Sequence, residues 1–263
     1  MGIKFTISKN IKKVKINIPA DGKEETLSRS AINVLRGERD GYLIYANSEL
    51  FSVCATSNQL IVEFLRKISK NEFDEYNNFL KNNNIDKYYV WDLHNNIQHN
   101  LFKIEEEVHL METLTERNIE SNDILKQFRV TLFNLKKIYS ESFNVPHKKI
   151  LNLWINELKN EDWFSEDNVF IVGDKIPTAF MILRKRNAEI IEIFMFGITN
   201  DFKNKNLSAD IFMHLIFLIN KKFNFNKLRI QVWVHKSNKI AYRLYAKHNF
   251  KSIRIRKKYL VNL

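Results

Sequence analysis

The chain has 263 residues, 44% hydrophobic and 13% aromatic with 20 Phe, so it can bury a sizeable core. A charged fraction of 27% is that of an ordinary globular protein and excludes a disordered chain, and no run of about 18 apolar residues marks a membrane-spanning helix. The formal net charge of +12 is unevenly placed, with +14 in residues 129–263 and −2 in the remainder. The C-terminal half is therefore the one expected to meet an anion, with a compositional surplus of Lys as the competing explanation. The single cysteine, Cys54, cannot form an internal disulfide, and the N-terminal segment lacks an apolar leader. Both features fit a cytoplasmic protein with no membrane association.

In chain order, Lys4–Ile7 and Lys12–Ile18 read as strands ended by Pro19-Ala20-Asp21-Gly22. Glu24–Arg36 reads as a helix, and Tyr42–Ala46 with Leu50–Ala55 as a hairpin. Asn58–Ser69 and Glu72–Lys81 carry apolar residues at helical spacing. Asn82-Asn83-Asn84 is a loop, Tyr88–Leu93 and Phe102–Met111 are strands, and the polar stretch Thr113–Asp123 is a candidate linker. The expected division is 1–115 and 124–263.

In the second part, Phe128–Thr131 is extended and Leu132–Phe143 is an amphipathic helix stopped by Asn144-Val145-Pro146. Lys149–Lys159 is a further helix. Val169–Val172, Thr178–Arg184 and Ala188–Thr199 are strands joined by turns at Gly173-Asp174 and Lys185-Arg186-Asn187. After the loop Asn200–Leu207 come a strongly apolar helix, Ala209–Phe223, a strand, Leu228–Val234, and a helix, Ser237–His248. Phe250 opens another strand, with a final extended piece at Lys258–Leu263.

The segment from Val232 to Phe250 resembles the GNAT superfamily of acetyl-CoA-dependent N-acetyltransferases, through an apolar strand followed by Asn238, Ala241, Tyr245, Lys247 and Phe250. Asn249 stands where that family usually has Gly, and Asn is the next best residue for a left-handed helix C-cap. Glu192–Ile198 resembles the family's long central strand. The loop Lys203-Asn204-Lys205-Asn206-Leu207-Ser208 keeps the spacing and basic character of its pyrophosphate loop but neither glycine. The resemblance covers residues 128–263. It implies an α/β chain whose C-terminal domain has a central, mostly antiparallel sheet, preceded by a smaller, vestigial half of related layout. That layout is similar to the dTDP-fucosamine, or amino-sugar, N-acetyltransferase type.

The resemblance further implies direct acetyl transfer from acetyl-CoA to a primary amine, the preferred acceptor being a nucleotide-linked amino sugar. Tyr245 is the implied general acid; a phenol suits this because it is neutral near pH 7 and donates one hydrogen bond. Glu192 is the implied general base, with Glu189 on the other strand face as the alternative. The cofactor contacts implied are Phe196, Gly197, Ile198, Lys203, Asn204, Lys205, Asn206, Leu207, Ser208, Asn238 and Tyr245. Free amide donors and the positive end of a helix dipole at that loop favour phosphate. His147 and His235 are the candidates for contacting the acceptor, each with a solvated loop position as the competing reading. His94 and His99 lack metal-ligand spacing, and no metal is expected.

Two other readings stay open: an acetyltransferase acting on a protein or peptide amine, and a non-catalytic binding module for an acidic partner. Nucleic acid is disfavoured, because no basic helix is interleaved with aromatics. A homodimer is compatible with the sequence.

Overall fold

A computed structural model describes residues 4–8, 41–47, 49–56, 59–65, 68–92, 102–116, 125–144, 158–159, 164–203, 207–223 and 227–263. The expected strand Lys12–Ile18, the helix Glu24–Arg36, His94 and His99 lie outside these residues, as does all of Lys149–Lys159 except its last two positions. The chain forms two compact units. One comprises Met1–Val108, His235–Ser237 and Ile255–Leu263, and the other His109–Val234 and Asn238–Arg254.

The strands of the first unit are β1 (Phe5–Ser8), β2 (Gly41–Ala46), β3 (Glu49–Thr56), β4 (Leu60–Phe64) and β5 (Lys87–Asp92), completed beyond β5 by the C-terminal part of β12 (Lys251–Asn262). β1 to β4 form an antiparallel meander, β4 runs parallel to β5, and β12 pairs antiparallel with β5. The parallel step needs a crossover, supplied by helix α1 (Lys70–Asn82). α1 starts where Ser69 accepts from the Glu72 N–H while the Glu72 carboxylate accepts from the Ser69 N–H, a reciprocal cap. Its buried Phe73, Tyr76 and Leu80 lie on one face and pack on Phe51, Val62, Val90 and Tyr259. The chain leaves α1 through Asn84, at φ 60°.

Within the expected helix Asn58–Ser69, Leu60–Phe64 is instead strand β4. Leu60-Ile61-Val62 is a short run with two β-branched residues, and a strand paired on both sides reads as apolar without alternation. The candidate linker is likewise corrected at its start, because its first four residues belong to β6 (Lys103–Glu116); Thr115 is buried and donates to Asn220 Oδ1 at 2.8 Å.

In the second unit the strand order is β6, β11 (Lys227–His235), β10 (Ile190–Ile198), β9 (Pro177–Lys185), β8 (Val169–Gly173) and β7 (Lys126–Phe128). β7 through β10 are antiparallel neighbours and β10 is parallel to β11. Helix α2 (Leu132–Phe143), capped by Thr131 and ended by Asn144 at φ 52°, covers one sheet face, with Leu135 and Ile138 on Val169, Ile171, Phe180 and Ile182. Helix α3 (Ser208–Phe223) covers the other, with Phe212, Leu215, Ile216 and Ile219 on Val172, Met181, Ile191 and Ile193. Helix α4 (Lys239–Lys247) adds Tyr245 to that second core. Two further differences from the sequence reading are small: Asn200–Lys203 forms a helical turn within the expected loop, and the final two extended pieces are one strand, β12.

Candidate active site

The β10–β11 pairing is short. The parallel register runs from Ile190 opposite Arg229 to Ile193 opposite Val232, and among the described residues it goes no further. β10 then bulges against β9 between Ile193 and Met195, and stays on β9 through Ile198 opposite Ala179. A bulge bends its strand and increases the local twist. The outcome is a length of β10 that, among the described residues, keeps β9 as its one strand neighbour and leaves its other edge open.

The peptide groups facing that edge follow from alternation. The Thr199 N–H donates to Thr178 O at 2.9 Å, so Thr199 points its peptide group toward β9. Gly197 and Met195 then point the same way, and Phe196 and Ile198 point toward the open edge. An acyl oxygen placed there meets backbone N–H donors fixed by the sheet, the arrangement that stabilises charge developing on a carbonyl.

Behind the edge lies a set of rings. Phe196 packs on Phe212 with centroids 5.4 Å apart, and Phe212 on Tyr245 at 5.5 Å and Phe250 at 5.9 Å. Tyr245 is 5% exposed, and burial pushes its phenol well above the ordinary tyrosine range, which keeps the proton on the oxygen. His248, the C-cap of α4, lies 5.4 Å from Phe212, and burial lowers its imidazole below the usual histidine value. On the other sheet face, Gly197 is pressed from outside: a Cβ there would collide with the Phe180 ring and stand 3.0 Å from Ser142.

Asn238 caps α4, its Oδ1 accepting from the Ala241 N–H at 3.2 Å. α3 begins at Ser208, directly after the exposed Leu207, and the Ile211 N–H closes the first turn on Leu207 O. The N–H groups before Ile211 have no partner within the helix, and such groups are suited to a pyrophosphate. Lys203 lies five residues upstream in the sequence, and the exposed Asp210 in the first turn opposes that fit. Asn204, Lys205, Asn206 and His147 lie outside the described residues.

Two candidates are engaged elsewhere. Glu192 is 5% exposed and sits opposite Gln231 in the paired stretch, ion-paired with Arg186 and 4.0 Å from Arg184. His235 belongs to the first unit, 3.8 Å from Glu106, which also binds Lys258. The first unit repeats the parallel crossover, but the capping box already occupies the N-terminus of α1. A cavity of about 470 Å³ in that unit lies at the opposite end of the helix, against Leu80, Asn83 and Cys54. Phe212 and Ser142 were not singled out from the sequence, because their helical spacing marks only a buried face. Among the described residues no group of His, Cys, Asp or Glu is arranged to hold a metal, and no helix is long and apolar enough to cross a membrane.

No protein-family model and no curated sequence matches this chain. Solved structures do. An acetyltransferase of the GNAT family from Colwellia psychrerythraea matches at TM-score 0.63 and 12% identity, covering 98% of this chain and 100% of that one. The chain has the GNAT fold. A GCN5-related N-acetyltransferase from Sphaerobacter thermophilus matches at TM-score 0.62 and 10% identity, over 98% and 95% of the two chains. A tandem GNAT protein from the clavulanic acid biosynthesis pathway matches at TM-score 0.62 and 6% identity, over 99% and 98%. The GNAT likeness therefore spans both units and extends beyond the segment that carries the sequence resemblance.

Proposed function

We propose that the chain is an N-acyltransferase that moves an acetyl group from acetyl-CoA to a primary amine in the second unit. The observation that carries this reading is the open edge of β10, where the Phe196 and Ile198 peptide groups face the gap left by β11. When bound, the thioester supplies an activated acyl group. Phe196 N–H would hold its oxygen, the start of α3 would bind phosphate, and Tyr245 would return a proton to the departing sulfur. The amine proton passes to water or, through water, to Glu192, whose carboxylate is already held by Arg186.

The acceptor that best suits a strongly basic C-terminal half is a doubly anionic one, a nucleotide-linked amino sugar. Calorimetric titration with acetyl-CoA, followed by an acceptor screen, tests both levels. Micromolar binding and turnover with an amino-sugar nucleotide are expected; no binding would remove the enzyme reading.

A second reading, a binding module for an acidic partner, is favoured by one observation, the Asp210 carboxylate at the helix start that should receive phosphate. It requires affinity for a polyanion that collapses with salt while acetyl-CoA does not bind.

A further inference from the structure

We infer that Phe212 limits the acyl group this site accepts to a very short chain, making it the residue that sets donor length. The inference rests on the acyltransferase reading above. An acyl group whose oxygen accepts from the Phe196 N–H begins at the open edge of β10, and its further carbons must turn toward one face of the sheet or the other.

Toward α2 the way is closed. Gly197, the next residue, has no room for even one added carbon, because Phe180 and Ser142 already fill the space. Toward α3 the partly buried Phe196 ring leads straight to Phe212, which is 0% exposed. Tyr245 and Phe250 also pack on Phe212 and lie 5.5 Å from each other, so the Phe212 ring cannot swing aside without displacing a packed neighbour. Described side chains thus crowd both faces within one residue of the amide that would hold the carbonyl. A pocket of this kind discriminates by roughly 10–200-fold per methylene.

The test is a ladder of affinities for CoA, acetyl-CoA, butyryl-CoA and hexanoyl-CoA, measured by calorimetry without acceptor. For the wild type, acetyl-CoA is expected to bind at least as tightly as CoA, and hexanoyl-CoA at least 10-fold more weakly. In Phe212→Leu and Phe212→Ala that gap should shrink to within 3-fold or reverse, with CoA itself unchanged within 3-fold. Thermal melting checks each variant, and if Phe212→Ala does not fold, Phe212→Leu and the wild-type ladder decide. Equal or tighter hexanoyl-CoA binding by the wild type, or an unchanged gap in folded Phe212→Leu, overturns the assignment of Phe212 alone. A wild type that binds none of the four compounds overturns the acyltransferase reading and this inference with it.

Discussion

Ile193 on β10 stands opposite Val232 on β11, and theirs is the last step of the parallel register before β10 bulges and continues against β9 alone. Up to that pair the two strands satisfy each other's peptide groups. Past it, Phe196 and Ile198 turn theirs to an edge that no strand among the described residues covers, and backbone groups at such an edge are suited to a partner from outside the sheet. The bulge makes that edge possible, because it keeps β10 on β9 while the strands part.

Around the start of α3 the sequence places charges of both signs. Lys203 and Lys205 precede α3, and Asp210 sits exposed in its first turn. Replacing both lysines with Glu is expected to weaken CoA binding at least 10-fold, and Asp210→Asn to strengthen it about 2–5-fold at low salt, since like charge repels phosphate. Titrations at 50 and 300 mM salt check this. Affinities that ignore all three positions would place the pyrophosphate elsewhere.

Glu192 is expected to matter for stability before it matters for chemistry. Its carboxylate is buried against Arg186 and Arg184, each about one-fifth exposed, so the pair is partly screened. Glu192→Gln should cost about 1–3 kcal/mol in urea unfolding, with turnover per folded molecule held within about 3-fold. Loss of the acid limb of the pH–rate profile in a stable variant would instead make it the general base.

Asn249 shows how far local sequence chemistry reaches. The position was readable as a left-handed cap, and its φ is 63°; the other described non-glycine residues at positive φ are Asn47, Asn84 and Asn144. Asn249→Gly is expected to hold or raise the melting temperature, and Asn249→Ala to cost about 1 kcal/mol. An alanine variant as stable as wild type would mean that the turn relaxes to another backbone shape.

Helix α2, the hairpin of β2 and β3, and the order from β8 to α4 were legible because caps, turns and periodicity are local. β4 was not, since a five-residue apolar run fits a strand or a helix turn equally until its partners are known. The place of β12 was not legible either. Tyr259 pairs with Val90 across most of the chain, and nothing near Tyr259 names that partner. At the site, Tyr245 stood out by motif, whereas Phe212 read only as one more apolar residue on a buried helix face.

Alkaline pH should loosen the fold through Cys54. The thiol is 1% exposed, and burial pushes it from 9.0 to about 11, against hydrogen bonds with Tyr76 and Ser52 that lower it. A raised folded value means the unfolded chain releases this proton first. The stabilisation is whole below pH 9 and declines from there to about pH 11, by about 1.4 kcal/mol per pH unit for one group. Tyr76, Tyr88 and Tyr245, all raised by burial, deepen the loss above pH 10. Urea midpoints at pH 8, 9.5 and 10.5 should fall in the wild type and fall less between the first two in Cys54→Ala. Identical slopes would mean that Cys54 ionises as freely in the folded chain as in the unfolded one.

The sharpest test of the mechanism is Tyr245→Phe. Tyr245 lies one helical turn after Ala241, whose N–H is bound by the cap residue Asn238, so the cap fixes where on α4 the phenol stands. Its ring packs between Phe212 and Phe250, and burial holds the proton on the oxygen through the physiological range. Removing only the hydroxyl keeps every ring contact, so the melting temperature and CoA affinity should stay close to wild type. Turnover should fall by about 10²–10⁴-fold, the usual loss with an acid–base group. The drop should be steepest with acceptors for which chemistry limits the rate, and smaller where product release does. Steady-state rates for two acceptors of different reactivity, alongside CoA affinity, separate these cases. Wild-type turnover under chemistry-limited conditions would leave Tyr245 as one ring of the core around Phe212 and pass the proton to water at the open edge of β10.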